Sequence, residues 1–183
     1  MKKLSPSSFQ TLSVPIYHDL MEQLISGAYE PGQRLKLNEL AKQTGTSVSP
    51  VREALIRLVA EDSVEMSSLR AFAVPILSSS RFSQILSIRL VLEGLAVEKA
   101  TENITQSEVE ELSKLHAKFV SAEANQERLE AQSLNRRIHF LIYDRANMPM
   151  LMSSILNLWA KMGPILRVYY SDRIDVTIGA PDH

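Results

Sequence analysis

The chain has no cysteine, which excludes disulfides and thiol chemistry and fits a reducing compartment such as the cytosol. No apolar run is long enough to span a bilayer, so no membrane-spanning segment is expected. The start, MKKLSPSSFQTLSVP, carries two lysines with no apolar stretch behind them and does not read as a signal peptide. Glycine is scarce at six residues, and none of them builds a Gly-rich phosphate loop. No Ser-His-Asp or Cys-His constellation is visible, which makes an enzyme the weakest of the function classes. An excess of charge of one sign is missing too. The formal net charge is −1, whereas an obligate nucleic-acid binder is often basic. What is present is 183 residues, 45% hydrophobic and 22% charged, enough for one or two packed domains.

Charge becomes informative by segment. Over Met1–Leu77 cations and anions cancel, but between Arg34 and Arg57 five cations (Arg34, Lys36, Lys42, Arg52, Arg57) face two anions (Glu39, Glu53). A DNA-facing surface would be a small basic patch rather than a basic domain.

Hydrophobic spacing divides the chain. Residues 1–12 are polar and Ser-rich and read as a frayed arm. From Val14 the spacing is helical, with Tyr17, Leu20, Met21, Leu24 and Ile25 on one face. Gly27 and Pro31-Gly32 stop that helix. A short helix with Leu37, Leu40 and Ala41 inward and a turn around Gly45 follow. TSVSPVREALIRLVAED, from Thr46 to Asp62, is the next helix. Ser47 or Ser49 is its N-cap, Pro50 lies in its first turn, and Val51, Ala54, Leu55 and Leu58 form its buried stripe. VEM and FAV read as a short hairpin, and Pro75 with the serines at 78–80 as a linker. Helix, short helix, turn, helix, hairpin is the order of a winged helix-turn-helix.

The polar side of the 46–62 helix leaves two readings open. Arg52 reaches a guanine edge or a phosphate, with Ser47 and Ser49 on phosphate oxygens and Arg70 following the backbone from the hairpin tip. Alternatively Arg52 is an ion-paired or solvated surface residue and the serines are only caps. Arg34, Asn38 and Arg57 complete the DNA-facing candidates.

PVREAL at 50–55 is the most specific motif. Together with IYHDLMEQLISGAYEPGQRLKLNELAKQTGTSVSPVREALIRL and VEMSSLRAFAV it resembles the winged-helix domain of the GntR family of bacterial transcription factors, from about Pro15 to Pro75. The resemblance implies that Arg52 contacts DNA. Ser47-Val48 stands where the family has Ser-Arg, Asp62-Ser63 where it has Glu-Gly, and Arg70-Ala71 where it has Arg-Gly. These departures imply one cation fewer on DNA, a shallower salt dependence and an altered wing.

The remainder reads as helices over Phe82–Thr101, Ser107–Ala122, Glu127–Ala146 and Pro149–Tyr170. Gly163-Pro164 is expected to kink or break the last of them, and a polar tail follows. Arg89 and Glu93 stand at i, i+4 on an apolar helix, either an edge salt bridge or a pair kept for a purpose. Asn135 and His139 share a face at the same spacing, which suits a shared metal or anion, or else a partly buried histidine. His116 reads as a packed histidine, and Met148, Met150, Met152 and Met162 read as core.

SIRLVLEGLAVEKA and LNRRIHFLIYDRANMPML resemble the all-helical ligand-binding (FCD) domain of the FadR-type subfamily. That resemblance implies a divalent metal such as zinc or nickel, with Asn135 and His139 matching the first two ligands and His183 a third. It also implies a small carboxylate effector held between the metal and Arg89. The final helix of that domain has no counterpart, so Trp159, Ile165 and Leu166 are expected to face solvent or a partner.

The fold expected is therefore mainly α: an N-terminal winged helix-turn-helix with a small β-hairpin over 1–77, and a C-terminal all-α helical bundle over 78–183 lacking its last helix. The function expected is a bacterial, cytoplasmic, ligand-responsive transcription factor. It would bind palindromic operator DNA as a homodimer and respond to a small organic-acid effector. The alternative is a DNA-silent dimeric interaction or metabolite-binding module of the same fold.

Overall fold

Apolar residues spaced three and four apart from Ile16 to Ile25 line one face of a helix, and that face must be covered by another element. The computed structural model describes residues 6–67 and 71–170 and shows what covers it. Its elements are α1 (Pro6–Ile25), β1 (Arg34–Leu35), α2 (Leu37–Gln43), α3 (Val48–Ala60), β2 (Glu65–Met66), β3 (Phe72–Ala73), α4 (Ser79–Ala100), α5 (Gln106–Ala124), α6 (Arg128–Asp144) and α7 (Pro149–Tyr170). They fall into two compact units, Met1–Ile76 with Ala160–Ile165, and Leu77–Trp159 with Leu166–His183. Among the described residues no helix is long and apolar enough to cross a membrane.

In the first unit α1 packs on α3 and α2 on α3. Val51, Ala54, Leu55 and Leu58 of α3 are at most 1% exposed, the stripe that their spacing anticipates. Leu20 and Leu24 of α1 are buried to the same degree. Gly45 turns the chain between α2 and α3 at φ +64°, a left-handed conformation that costs a glycine nothing. After α3, Asp62 takes φ +57°, which Asp tolerates better than most side chains.

The hairpin is the larger part of a three-stranded antiparallel sheet of order β1-β3-β2. Arg34 pairs with Ala73 and Leu35 with Phe72, while Glu65 and Met66 pair with Ala73 and Phe72 from the other side. Two-residue strands carry no period-two pattern, so β1 left no signal in the sequence. The hairpin tip, including Arg70, lies outside the described residues.

Two helix boundaries differ from the sequence reading. The helix α1 starts at Pro6, so residues 6–12 are helical rather than a frayed arm, and Pro15 sits inside it at the cost of a backbone hydrogen bond. The helix α7 runs unbroken through Gly163-Pro164. Gly163 is buried against the end of α1, where an added Cβ would overlap the carbonyl oxygen of Leu24 and lie 2.8 Å from that of Ile25. Two residues earlier, Lys161 Nζ donates to the carbonyl of Glu61 at 2.6 Å, just past the end of α3. Here glycine serves close approach, not a helix stop, and this packing overrides the local preference.

In the second unit α5 and α6 pack on each other, and α4 packs on α6. Leu115, Ala122, Ala131 and Leu134 form a core joined by Phe119, Ile138 and Leu141. Thr105 and Glu108 close a reciprocal capping box at the start of α5, and these hydrogen bonds hold the Glu108 carboxyl below the usual range. The serines expected as a linker instead open α4, with Ser78 accepting from the Arg81 N–H at its N-cap.

Several packing expectations are overturned. Trp159 is 1% exposed rather than facing solvent, and Ile165 and Leu166 are half-buried. His116 is exposed, stacked on Phe119 at the rim. Of the four methionines expected in the core only Met162 is buried; Met148 and Met150 are exposed and Met152 is half-buried. A helical period places residues on a face but does not say which face is covered.

The Gly163 contact makes a direct prediction. Gly163→Ala destabilises the chain by about 1–3 kcal/mol through overpacking, although alanine favours a helix over glycine. Thermal unfolding that leaves Gly163→Ala as stable as the parent would contradict the contact.

Candidate functional site

Two groups of side chains stand out, one in each unit. The first is the leading turn of α3. Its N-cap is Ser47, in extended backbone (φ −81°, ψ 166°), and its side chain makes no capping hydrogen bond. The first amides of the helix lack intrahelical partners, and Pro50 contributes none, so donors and the positive end of the helix dipole face outward. Ser47 and Ser49 are exposed. Arg52, one turn further on, is half-buried and makes no hydrogen bond or ion pair among the described residues. Together these groups can receive a phosphate and present one guanidinium to a base edge. Arg34 and Asn38 are also exposed, on β1 and α2, while Lys36 is tied to Glu39 at 2.8 Å.

Arg57 is occupied elsewhere. Its guanidinium lies 3.7 Å over the ring of Tyr17, and its Nε is 3.2 Å from Glu61. The Tyr17 hydroxyl donates to the same carboxylate at 2.8 Å, and burial together with that carboxylate pushes it up to about 12. Arg57 therefore staples α3 to α1. Its side chain stays half exposed, and spacing alone gave no sign of these contacts.

The second group is assembled by α4, α6 and α7 within the second unit. Arg89 Nε donates to Glu93 Oε1 at 2.6 Å, with both side chains largely buried. Trp159 Nε1 donates to that same oxygen at 2.9 Å, and the Arg89 guanidinium lies 4.5 Å over the Trp159 ring. His139 Nδ1 is 2.7 Å from the Tyr143 hydroxyl. Burial, with hydrogen bonding to Glu93 and its charge, drives the Tyr143 hydroxyl far above its ordinary value. Burial holds the His139 ring below its usual 6.5; Glu93 opposes that shift and Arg89 adds to it.

Proton bookkeeping follows from these contacts. Tyr143 has one proton, and the Glu93 carboxylate is its strongest acceptor. With the Tyr143 proton on the Glu93 side, His139 donates from Nδ1 to the Tyr143 oxygen and keeps a lone pair on Nε2; with the other tautomer the roles reverse. The cluster thus holds a paired Arg89, a neutral imidazole with one open ring nitrogen, and aromatic walls from Trp159 and Phe140, whose rings meet edge to face at 5.1 Å.

The Arg89–Glu93 pair and His139 were legible in the sequence; the hub role of Glu93 and the parts of Tyr143 and Trp159 were not. Tyr143 did leave a trace, since it continues the Asn135–His139 face by one more turn. Asn135 is half-buried on that face and makes no hydrogen bond to the cluster among the described residues.

Of the divalent-metal ligands expected from the sequence, only Asn135 and His139 lie among the described residues. Among the described residues no three His, Cys, Asp or Glu side chains lie together as ligands, and His139 Nδ1 is taken by Tyr143 while its Nε2 is open. Beside it stands a cation, Arg89. The third expected ligand, His183, lies outside the described residues.

Comparison with known proteins places this geometry. The family model for bacterial regulatory proteins of the gntR family matches residues 12–74, and that for the FCD domain matches residues 84–183. The chain belongs to the GntR family. As a member it is a transcriptional regulator with an FCD effector-binding domain, in a family of regulators rather than enzymes. It is 39% identical to the HTH-type transcriptional regulator McbR of Escherichia coli over 87% of this chain and 72% of that protein. The solved structure of E. coli McbR/YncC superposes with a TM-score of 0.78 at 38% identity, covering 88% of this chain and 76% of that one. The gluconate operon transcriptional repressor of Bacillus subtilis is 30% identical over 56% of this chain and 42% of its own length.

The buried imidazole makes the stability of this GntR chain depend on pH. With His139 held below 6.5 when folded, the unfolded chain takes up the proton first as pH falls past that value. Its contribution is complete above 6.5 and is lost as pH drops toward the lower folded value. The melting temperature should therefore fall on acidification more steeply for the parent than for His139→Gln, a variant that keeps Glu93, Arg89 and Tyr143 around the site. Parallel slopes would contradict a buried neutral ring.

Proposed function

We propose that the chain regulates transcription in the cytoplasm as a homodimer. In this reading residues 1–77 form the DNA-binding domain, and residues 78–183 the effector-binding and dimerisation domain. The leading turn of α3 enters the major groove of a palindromic operator. Ser47 and Ser49 take phosphate oxygens, Arg52 reads a base edge or phosphate, and Arg34 and Asn38 flank them. One observation carries this best: Arg52 stands at the open end of a helix whose other face is fully buried, with no partner among the described residues.

For the effector we propose a small organic acid at Arg89, Asn135 and His139. A carboxylate would compete with Glu93 for the Arg89 guanidinium and find a donor in the Asn135 amide. A hydroxyl on the same molecule would find its acceptor in His139 Nε2. One relative is named for a gluconate operon, and gluconate is an acid of this class. Binding one arrangement of the dimer better than another is how such a ligand would alter DNA affinity. Because the described residues include only two of the ligands expected for zinc or nickel, no step is assigned to a metal.

A DNA-silent module of the same fold is the second reading. It is favoured by Val48, which stands at the front of α3 where the family carries an arginine.

Gel shifts on duplexes flanking the protein's own gene test the first reading. Arg52→Ala should lose about 1–3 kcal/mol of binding, while Arg57→Ala, though less stable, should keep the parent's affinity once folded. An Arg52→Ala chain that binds like the parent would remove Arg52 from the interface. For the effector, a thermal-shift screen of metabolite acids should stabilise the parent more than Arg89→Ala; equal shifts would exclude Arg89.

A further inference from the structure

The outer face of α4 has no charge on it. Between Arg81 and Glu98 the only charged residues are Arg89 and Glu93, and both turn inward to pair with each other. Facing out over those four turns are Ser83, Gln84, Leu86, Ser87, Ile88, Leu90, Val91, Gly94 and Val97. Leu90 is 78% and Val91 69% exposed, and Leu86, Ile88 and Val97 are also well exposed. Five large apolar side chains on a solvated surface within one helix are costly to leave wet.

Their spacing is specific. Ser83, Ser87, Leu90, Gly94 and Val97 follow one another at four, three, four and three residues. That is the heptad seam along which two helices pack, and it differs from the 3.6-residue stripe that buries the opposite face on α6. The seam is also self-complementary. Its N-terminal half is a shallow groove lined by Ser80, Ser83, Gln84, Ser87 and Ile88. Its C-terminal half rises in Leu90, Val91 and Val97. Beside Gly94 nothing stands within 4 Å of an added Cβ, so that point is open to close approach.

We propose that this face is the centre of the homodimer interface: α4 packs antiparallel against α4 of a second copy, with the two-fold axis near Leu90. This rests on the dimer reading above. An isologous interface needs every contact made twice, with residue i against j and j against i. Antiparallel pairing about Leu90 satisfies that need, setting Val97 of each copy over the Ser83 groove of the other and Ser87 beside Gly94. Parallel pairing would set serine against serine and glycine against glycine, leaving gaps. A second copy suits the face because an uncharged seam meets an identical uncharged seam without stranding a charge. α4 spans about 33 Å at 1.5 Å per residue, and its exposed apolar side chains supply a few hundred Å2. That is the dry core of a dimer rather than the roughly 800 Å2 per partner of a whole interface, so neighbouring surfaces supply the rim.

The test uses the full chain and its lack of cysteine. By sedimentation equilibrium the parent is expected to be a dimer. Leu90→Glu, which faces its own copy across the axis, should weaken it about 100-fold or more with unchanged circular dichroism. Leu129→Glu, at a site 70% exposed on α6, should not. Under mild oxidation Leu90→Cys should form a disulfide-linked dimer. Ser83→Cys mixed with Val97→Cys should cross-link to each other more than either does to itself. A parent that stays monomeric overturns the dimer reading and this surface together. A dimeric parent whose Leu90→Glu variant is equally dimeric overturns the surface alone. Self-linking of Ser83→Cys and Val97→Cys in place of cross-linking overturns the antiparallel arrangement.

Discussion

Everything in the first unit depends on one clamp, the burial of α3's apolar stripe against α1 and α2. At 1.5–3 kcal/mol for a fully buried large aliphatic side chain, Val51, Leu55 and Leu58 together contribute on the order of 5–8 kcal/mol, comparable to the net stability of a whole domain. The clamp fixes which way α3 faces. Since its buried side is settled by packing, the opposite side and the leading turn have no freedom to turn inward. Arg57 reinforces the clamp by lying over Tyr17 and reaching Glu61, while about half of its side chain stays exposed. One helix thus shows both uses of arginine, one as a staple near its end and one left open at its beginning.

The second unit is organised around a single carboxylate. Glu93 accepts from Arg89 and Trp159 through one oxygen and raises the pKa of Tyr143, which in turn pairs with His139 Nδ1. A buried ion pair adds little stability by itself, since desolvation offsets the attraction. Its consequence is specificity, because three helices are held to one polar point. A ligand that draws Arg89 away from Glu93 disturbs all of these bonds at once. The contact therefore suits a responsive site better than a purely structural one.

Much of this was legible in the sequence, for definable reasons. Periodicity placed every helix, and PVREAL located the leading turn of α3, because a recognition helix must carry its polar and apolar residues at fixed offsets. The pair at Arg89 and Glu93 was visible because two charges on an apolar helix are conspicuous. Long-range packing was not visible. Gly163-Pro164 looks like a stop until the backbone of α1 is set beside it, and Trp159 was expected to be uncovered for want of a final helix, whereas its N–H is received by Glu93. The exposures of His116 and Met150 were misjudged for the same reason: a helix pattern identifies faces, and only the neighbours decide which is wet. β1, two residues long, had no pattern to read.

The account's central claim is that the open front of α3 grips duplex DNA. The most direct measurement is selection of bound duplexes from a random pool by the full chain, followed by a salt titration of the best binder. The account predicts enrichment of a two-fold symmetric sequence, with log affinity falling linearly as log salt rises and a slope of about −0.9 per phosphate contacted. A pool with no enriched sequence, or binding indifferent to salt, would contradict it.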